Sequence, residues 1–254
     1  MTFLQKLKKA VAANNSLLCV GLDPQSKPLF SFCKEIVDQT YDLVSAYKPN
    51  SAFYESYGAD GIKELKKLCE YIQKKYPQIP IILDAKRADI GNTNNGYVSY
   101  AFDYLKVDAI TVHPYLGKDA LKPFLDRKDK GIIVLCRTSN EGAGEYQDLV
   151  IKGKKLYMHV AKEVARSWNK NNNCLLVVGA TYPKEMKLIR DVVGDITFLV
   201  PGIGAQGGDI EKSVKAGKNS KGGGMIISAS RSVLNAKNPR KEAMKLRDEI
   251  NKYR

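Results

Sequence analysis

Ile81-Ile82-Leu83-Asp84-Ala85-Lys86-Arg87-Ala88-Asp89-Ile90-Gly91-Asn92-Thr93 is the stretch on which the reading of the fold turns. It enters as an apolar run of strand length, and its polar residues arrive only at the end. Asp84 and Lys86 are two residues apart, so on an extended chain they point to the same side. Asp89 follows just past the strand, where a loop begins. Two acids and a lysine at one strand mouth form a charged cluster rather than a piece of core. From these residues alone two readings stand open. One is a strand-end salt bridge with Asp89 as the N-cap of the next helix. The other is a reactive site, because interacting charges mark functional sites as well as structural ion pairs.

Working outward, runs like this one recur. Apolar segments fall at residues 17–22, 46–49, 79–83, 109–112, 132–135, 175–178, 197–200 and 225–227. Between them lie longer segments with helical spacing. Ile62, Leu65, Leu68 and Ile72 form one face; Ala161, Val164, Ala165 and Trp168 another; Ala243, Leu246, Ile250 and Tyr253 a last one, with Pro239 near its start. Mostly apolar strands alternating with helices imply a parallel sheet covered by helices. Eight such units in 254 residues predict a closed (β/α)8 TIM barrel, with an open doubly wound sheet as the alternative. No linker, low-complexity tract or short repeat divides the chain, so residues 1–254 are expected to form a single domain.

Hydrophobic residues make up 44% and charged residues 27% of the chain, ordinary proportions for a globular protein. No apolar run approaches the ~18 residues of a membrane span. Phe3, Leu4, Leu7, Ala10 and Val11 lie at helical spacing, which predicts a short N-terminal helix packed on the body rather than a secretion signal. The five cysteines include no Cys-x-x-Cys pair, and Cys19, Cys136 and Cys174 sit in apolar runs. Buried thiols fit a reducing compartment, the cytoplasm. Two histidines and no Cys/His cluster argue against zinc. The net charge of +14 is spread along helices and mixed with acids, as in Lys63-Glu64-Leu65-Lys66-Lys67. That pattern suits a solvated surface that attracts anionic substrates; it lacks the dense basic runs of a nucleic-acid binder.

The strand ends carry the chemistry. They read Gly21-Leu22-Asp23-Pro24, Lys48-Pro49-Asn50, His113-Pro114-Tyr115, Cys136-Arg137-Thr138-Ser139-Asn140, and Ser228-Ala229-Ser230-Arg231. In a barrel these ends share one face, the face where active sites form. Pro201-Gly202-Ile203-Gly204-Ala205-Gln206-Gly207-Gly208-Asp209 adds four glycines, which allow close backbone approach to a ligand. Arg231 follows the last strand, where a helix could begin. An arginine at a helix start is a good anion site, and barrels commonly bind phosphate after these strands. The blander reading is a flexible turn with a surface arginine.

Asp84-Ala85-Lys86-Arg87-Ala88-Asp89-Ile90 resembles the Asp-x-Lys-x-x-Asp signature of the orotidine 5′-monophosphate decarboxylases. The surrounding segments, with Ala52-Phe53-Tyr54-Glu55 and Gly91-Asn92-Thr93, resemble the subgroup called type 2 and run in family order from residue 17 to residue 231. The signature alone is shared with sugar-phosphate decarboxylases; its combination with the glycine loop is far more specific. The resemblance implies decarboxylation of orotidine 5′-monophosphate to uridine 5′-monophosphate in pyrimidine biosynthesis, without a cofactor or metal. Lys86 would donate a proton to C6 of the pyrimidine, Asp84 would lie against the substrate carboxylate, and Lys48 would orient Asp84 and help bind the ribose. Asp23 and Asn50 would lie at the ribose, Thr138 and Ser139 at the pyrimidine edge, and Gln206 and Arg231 at the 5′-phosphate. Ile90, Pro201 and Ser230 would join these substrate contacts. Asp89 and Thr93 would reach into the site of a partner subunit, making a homodimer with shared sites. In some such proteins the domain is fused to orotate phosphoribosyltransferase, for which 254 residues leave no room.

The residue types suit that chemistry. Losing carbon dioxide from an sp² ring carbon leaves a poorly stabilised carbanion. Alternating charges on Lys48, Asp84, Lys86 and Asp89 would keep a lysine protonated where negative charge develops. Two other readings stay in play. One is a magnesium-dependent sugar-phosphate decarboxylase or epimerase on the same barrel; the other is a silent module that binds uridine monophosphate without turnover.

Overall fold

The computed structural model describes residues 1–203 and 207–254. In chain order the strands are β1 (Leu18–Gly21), β2 (Ala46–Lys48), β3 (Ile82–Arg87), β4 (Ala109–Val112), β5 (Gly131–Arg137), β6 (Val150–Ile151), β7 (Lys154–Lys155), β8 (Cys174–Val178), β9 (Phe198–Val200) and β10 (Met225–Ala229). Eight of them form a parallel sheet in the order β2-β1-β10-β9-β8-β5-β4-β3. Bridges from Tyr47 to Ile81 and from Asn50 to Asp84 join its two edges, so the sheet closes into the expected barrel.

Three features depart from the sequence reading. The third strand begins and ends later than residues 79–83, because Pro80 has no N–H for a ladder and pairing with β4 continues to Arg87. Asp84 and Lys86 therefore belong to the strand itself. Second, β6 and β7 make an antiparallel hairpin outside the barrel. Lys152 and Gly153 both have positive φ (49° and 74°), the requirement of the two-residue turn that joins them. Strands of two residues leave no periodicity to detect. Third, the helical face at residues 161–168 is not one α-helix; Leu156–Glu163 continues as a π-helical segment, Val164–Trp168.

Every strand of the barrel sends a side chain into its interior: Cys19, Ala46, Ile82, Ala109, Ile133, Leu175 with Val177, Leu199 and Ile226. Phe3 and Leu7, from the N-terminal helix Phe3–Asn14, pack beneath them and close the N-terminal end. That helix carries a full capping box, with Thr2 and Gln5 exchanging hydrogen bonds. Phe3 lies so close to Gly131 that a Cβ there would come within 2.4 Å of its ring, which excludes every larger residue from the start of β5. Around the barrel, Leu65, Leu68 and Ile72 from helix Gly58–Lys75 and Ala243, Leu246 and Ile250 from helix Pro239–Asn251 bury their predicted faces. All five cysteines are buried free thiols.

Candidate active site

The C-terminal ends of the strands surround a cavity of about 670 Å³. Lys48 from β2 and Asp84 and Lys86 from β3 line one side. Lys48 Nζ donates to Asp84 Oδ2 at 2.8 Å, and Lys86 Nζ donates to Oδ1 at 2.7 Å. A third donor, the Thr111 hydroxyl on β4, reaches Oδ1 at 2.9 Å. Burial alone would raise the Asp84 pKa. The charges of Lys48 and Lys86 and their hydrogen bonds overcome it and hold the carboxyl well below the usual range. Burial likewise disfavours the Lys48 ammonium, but Asp84 and Asp23 more than restore it, and its pKa lies above the ordinary lysine value. Asp84 and Lys48 are thus both charged at neutral pH. Because the folded Asp84 pKa lies below the ordinary 3.8, the stability it contributes is in place above that pH and is lost on acidification below it.

The backbone at this point is irregular. Leu83 pairs with Ile110 and Arg87 with Val112, so the ladder shifts register between them. Lys86 has φ of 48°, the left-handed region that a lysine seldom adopts. The expected meeting of Asp84 and Lys86 is found, but a bulged backbone and not plain strand alternation brings it about. Lys86 remains 49% exposed on its side chain, open to the cavity.

On the neighbouring rim Asp23 accepts the Asn50 backbone N–H at 3.1 Å and the Ser230 hydroxyl at 2.7 Å. All three residues line the cavity. Gly21 makes this possible, since a Cβ there would sit 2.7 Å from Ser230 Cβ. Thr138 and Ser139 line the β5 side. Gln147 fixes Thr138 by accepting its N–H at 2.9 Å and donating to its hydroxyl at 2.8 Å. Arg137, only 2% exposed and stacked 3.8 Å from the Tyr182 ring centroid, donates to the same Gln147 oxygen at 3.2 Å. Gly179 admits Ser139, which would otherwise meet a Cβ at 2.7 Å.

Pro201, Gly202 and Ile203 lead from β9 over the cavity, and Arg231 opens the helix Arg231–Leu234 on its edge. Gly202 and Gly207 have φ of 100° and 77°, so glycine is required at both turns. Ser230 precedes the helix without capping it, since its hydroxyl goes to Asp23. Gln206 lies outside the described residues.

Asp89, Ile90 and Thr93 do not line this cavity among the described residues. Asp89 does not cap the following helix either; among the described residues its side chain accepts only the N–H of Ile90, the residue that stands at the cap position of Gly91–Val98. Ile90 is 64% exposed and Thr93 is exposed. The sequence reading did not single out Thr111 or Gln147. Thr111 is the lone hydroxyl in the Ala-Ile-Thr-Val strand and shares the inward face with Ala109, a signal that was present. Gln147 sits ten residues beyond Arg137 with nothing local to mark it.

A curated protein of Cellvibrio japonicus named "Orotidine 5'-phosphate decarboxylase" is 49% identical over 99% of this chain and 98% of its own length. Among solved structures, "Structure of Leishmania donovani OMP decarboxylase" is 41% identical with a TM-score of 0.94, covering 100% of this chain and 99% of that one. "Structure of Leishmania donovani UMP synthase" is 42% identical with a TM-score of 0.95, and this chain spans 56% of its length. The family model described as "Orotidine 5'-phosphate decarboxylase / HUMPS family" matches residues 16–246, which takes in every strand of the barrel and both walls of the cavity. The chain belongs to that family.

Proposed function

We propose that the protein cleaves carbon dioxide from orotidine 5′-monophosphate to give uridine 5′-monophosphate, a step of pyrimidine biosynthesis. The observation that carries this reading is Asp84, kept ionised between two ammonium groups at the wall of a nucleotide-sized cavity. A substrate carboxylate placed against Asp84 is repelled by it. As carbon dioxide departs, the repulsion falls and charge grows at C6, where Lys86 supplies the proton. Lys48 holds Asp84 in place from the buried side. Because the charges are set before the substrate arrives, the field costs no reorganisation during reaction. The reaction so derived draws its charge and proton from side chains, without a cofactor or metal. At the far rim Arg231 and the backbone after β9 grip the 5′-phosphate, with Gln206 as a further contact; this distant binding energy helps hold the reacting end. Asp23 and Asn50 take the ribose with Ser230, while Thr138, Ser139 and Pro201 bound the base.

Asp89, Ile90 and Thr93 serve the cavity of a partner subunit in a homodimer. Their position supports this, because they stand outside the cavity of their own barrel and Ile90 and Thr93 are exposed. Tyr115 (87% exposed) and Leu116 on the next loop add apolar surface beside them, and Asn94 ties the two helices together through the Ala120 carbonyl. Residues 1–254 act as one domain, of the type 2 subgroup, a reading supported by the Thr138-Ser139-Asn140 segment and the long glycine loop. Buried thiols support a cytoplasmic location. Neither nucleic acid nor membrane enters as a partner, and among the described residues no helix is long and apolar enough to cross a bilayer.

The test mixes the pure protein with orotidine monophosphate in EDTA and follows the ultraviolet absorbance. Conversion to uridine monophosphate is expected. Activity abolished by EDTA would favour the metal-assisted sugar-phosphate enzymes, and binding of uridine monophosphate without turnover would favour a silent module.

A further inference from the structure

We propose that Thr111 is a positioning residue, whose single hydroxyl sets both the backbone of Lys86 and the carboxylate of Asp84. The proposal rests on the decarboxylase reading above. Between Leu83 and Arg87 the β3–β4 ladder loses its register, and Lys86 lies within that stretch. Thr111 Oγ1 takes that N–H at 2.9 Å. A hydroxyl has one proton, and with a lone pair committed to Lys86 that proton goes to Asp84 Oδ1, also at 2.9 Å. The same carboxylate oxygen accepts Lys86 Nζ at 2.7 Å. Lys86 main chain, Thr111 hydroxyl, Asp84 carboxylate and Lys86 ammonium therefore close a ring of hydrogen bonds.

The ring explains how a lysine is kept at a φ of 48°. A strained conformation persists only where its surroundings over-determine it. Here the determinant is a buried side chain, 1% exposed, on the adjacent strand. Thr111 needs no bond to the substrate to act. It fixes the direction in which the Lys86 ammonium enters the cavity, and a reacting group displaced by about 1 Å loses on the order of 100-fold in rate.

Thr111→Val keeps the shape and removes the hydroxyl; Thr111→Ser keeps the hydroxyl. For Thr111→Val we expect kcat to fall roughly 10- to 100-fold, with KM and uridine monophosphate binding changed much less. Asp84 also loses a donor to its charged form, so the acid limb of the kcat–pH profile moves to higher pH. Thr111→Ser should restore most of kcat and the profile. If Thr111→Val does not fold, Thr111→Ala set against Thr111→Ser gives the same comparison. A valine variant with wild-type kcat and pH profile overturns the proposal, as does an equal loss in the serine variant. Wild-type protein that does not turn over orotidine monophosphate would instead overturn the decarboxylase reading itself.

Discussion

Lys6 and Asp108 form an ion pair at the N-terminal end of the barrel, and Lys48, Asp84 and Lys86 form one at the C-terminal end. Burial does not separate them: Lys6 and Asp108 are 12% and 18% exposed on their side chains, Lys48 and Asp84 7% and 13%. Their surroundings do. Asp108 Oδ2 also accepts the Ile81 N–H at 2.8 Å, so the lower pair ties the N-terminal helix to the start of β3 above a filled apolar plug. The upper cluster borders open volume, and its outer lysine stands on a bulged backbone. A charge pair against packed core joins elements of the fold. The same pair beside a cavity holds a field ready for a third charge.

The difference can be broken from either end. Lys86→Ala is expected to leave the thermal midpoint near wild type and to lose about 100-fold or more in turnover, the value of a positioned general acid. Retention of even about a tenth of wild-type turnover would remove Lys86 from the chemistry. Phe3→Ala attacks the lower end. Chemical denaturation should show a loss of about 3 kcal/mol or more, while kcat per folded molecule stays unchanged; a parallel fall in kcat would mean that the two ends are coupled. Arg231→Ala should weaken binding of uridine monophosphate by about 1.5–3 kcal/mol, the range of a charge-assisted hydrogen bond. Calorimetry with uridine should detect almost no change, and equal losses for both ligands would count against a phosphate contact. The gentlest test mixes Lys86→Ala with Asp89→Ala under subunit exchange. Half the dimers are then mixed with one intact site each, so activity should return to about a quarter of wild type. Tagged subunits that exchange without recovery would rule out shared sites.

Most of the barrel is legible in the sequence because parallel strands buried on both faces stand out as apolar runs, and helices between them repeat every three to four residues. Asp84 and Lys86 are legible for a related reason: two charges interrupt such a run at its end. What escapes is set by distant contacts. Nothing around Lys86 announces a left-handed φ, since the cause is a hydroxyl 25 residues away on β4. Gln147 matters because Arg137 and Thr138 fold back on it, which no spacing encodes. Phe3 and Leu7 predict a packed helix but not which end of the barrel it fills.

Barrel closure gives the cavity a second meaning. Most neighbouring strands meet in ladders, whereas β2 and β3 meet through the Tyr47–Ile81 and Asn50–Asp84 bridges. The Lys48–Asp84 pair crosses that same seam. A nucleotide seated between Asp23, Lys48 and Asn50 on one side and Asp84 and Lys86 on the other would span the seam where its own pairing is sparsest. Breathing of the barrel and escape of the ligand then become one equilibrium. The protons along the seam, from Tyr47 N–H to the Pro80 carbonyl and from Asp84 N–H to the Pro49 carbonyl, would exchange with solvent at a rate governed by how much nucleotide is present.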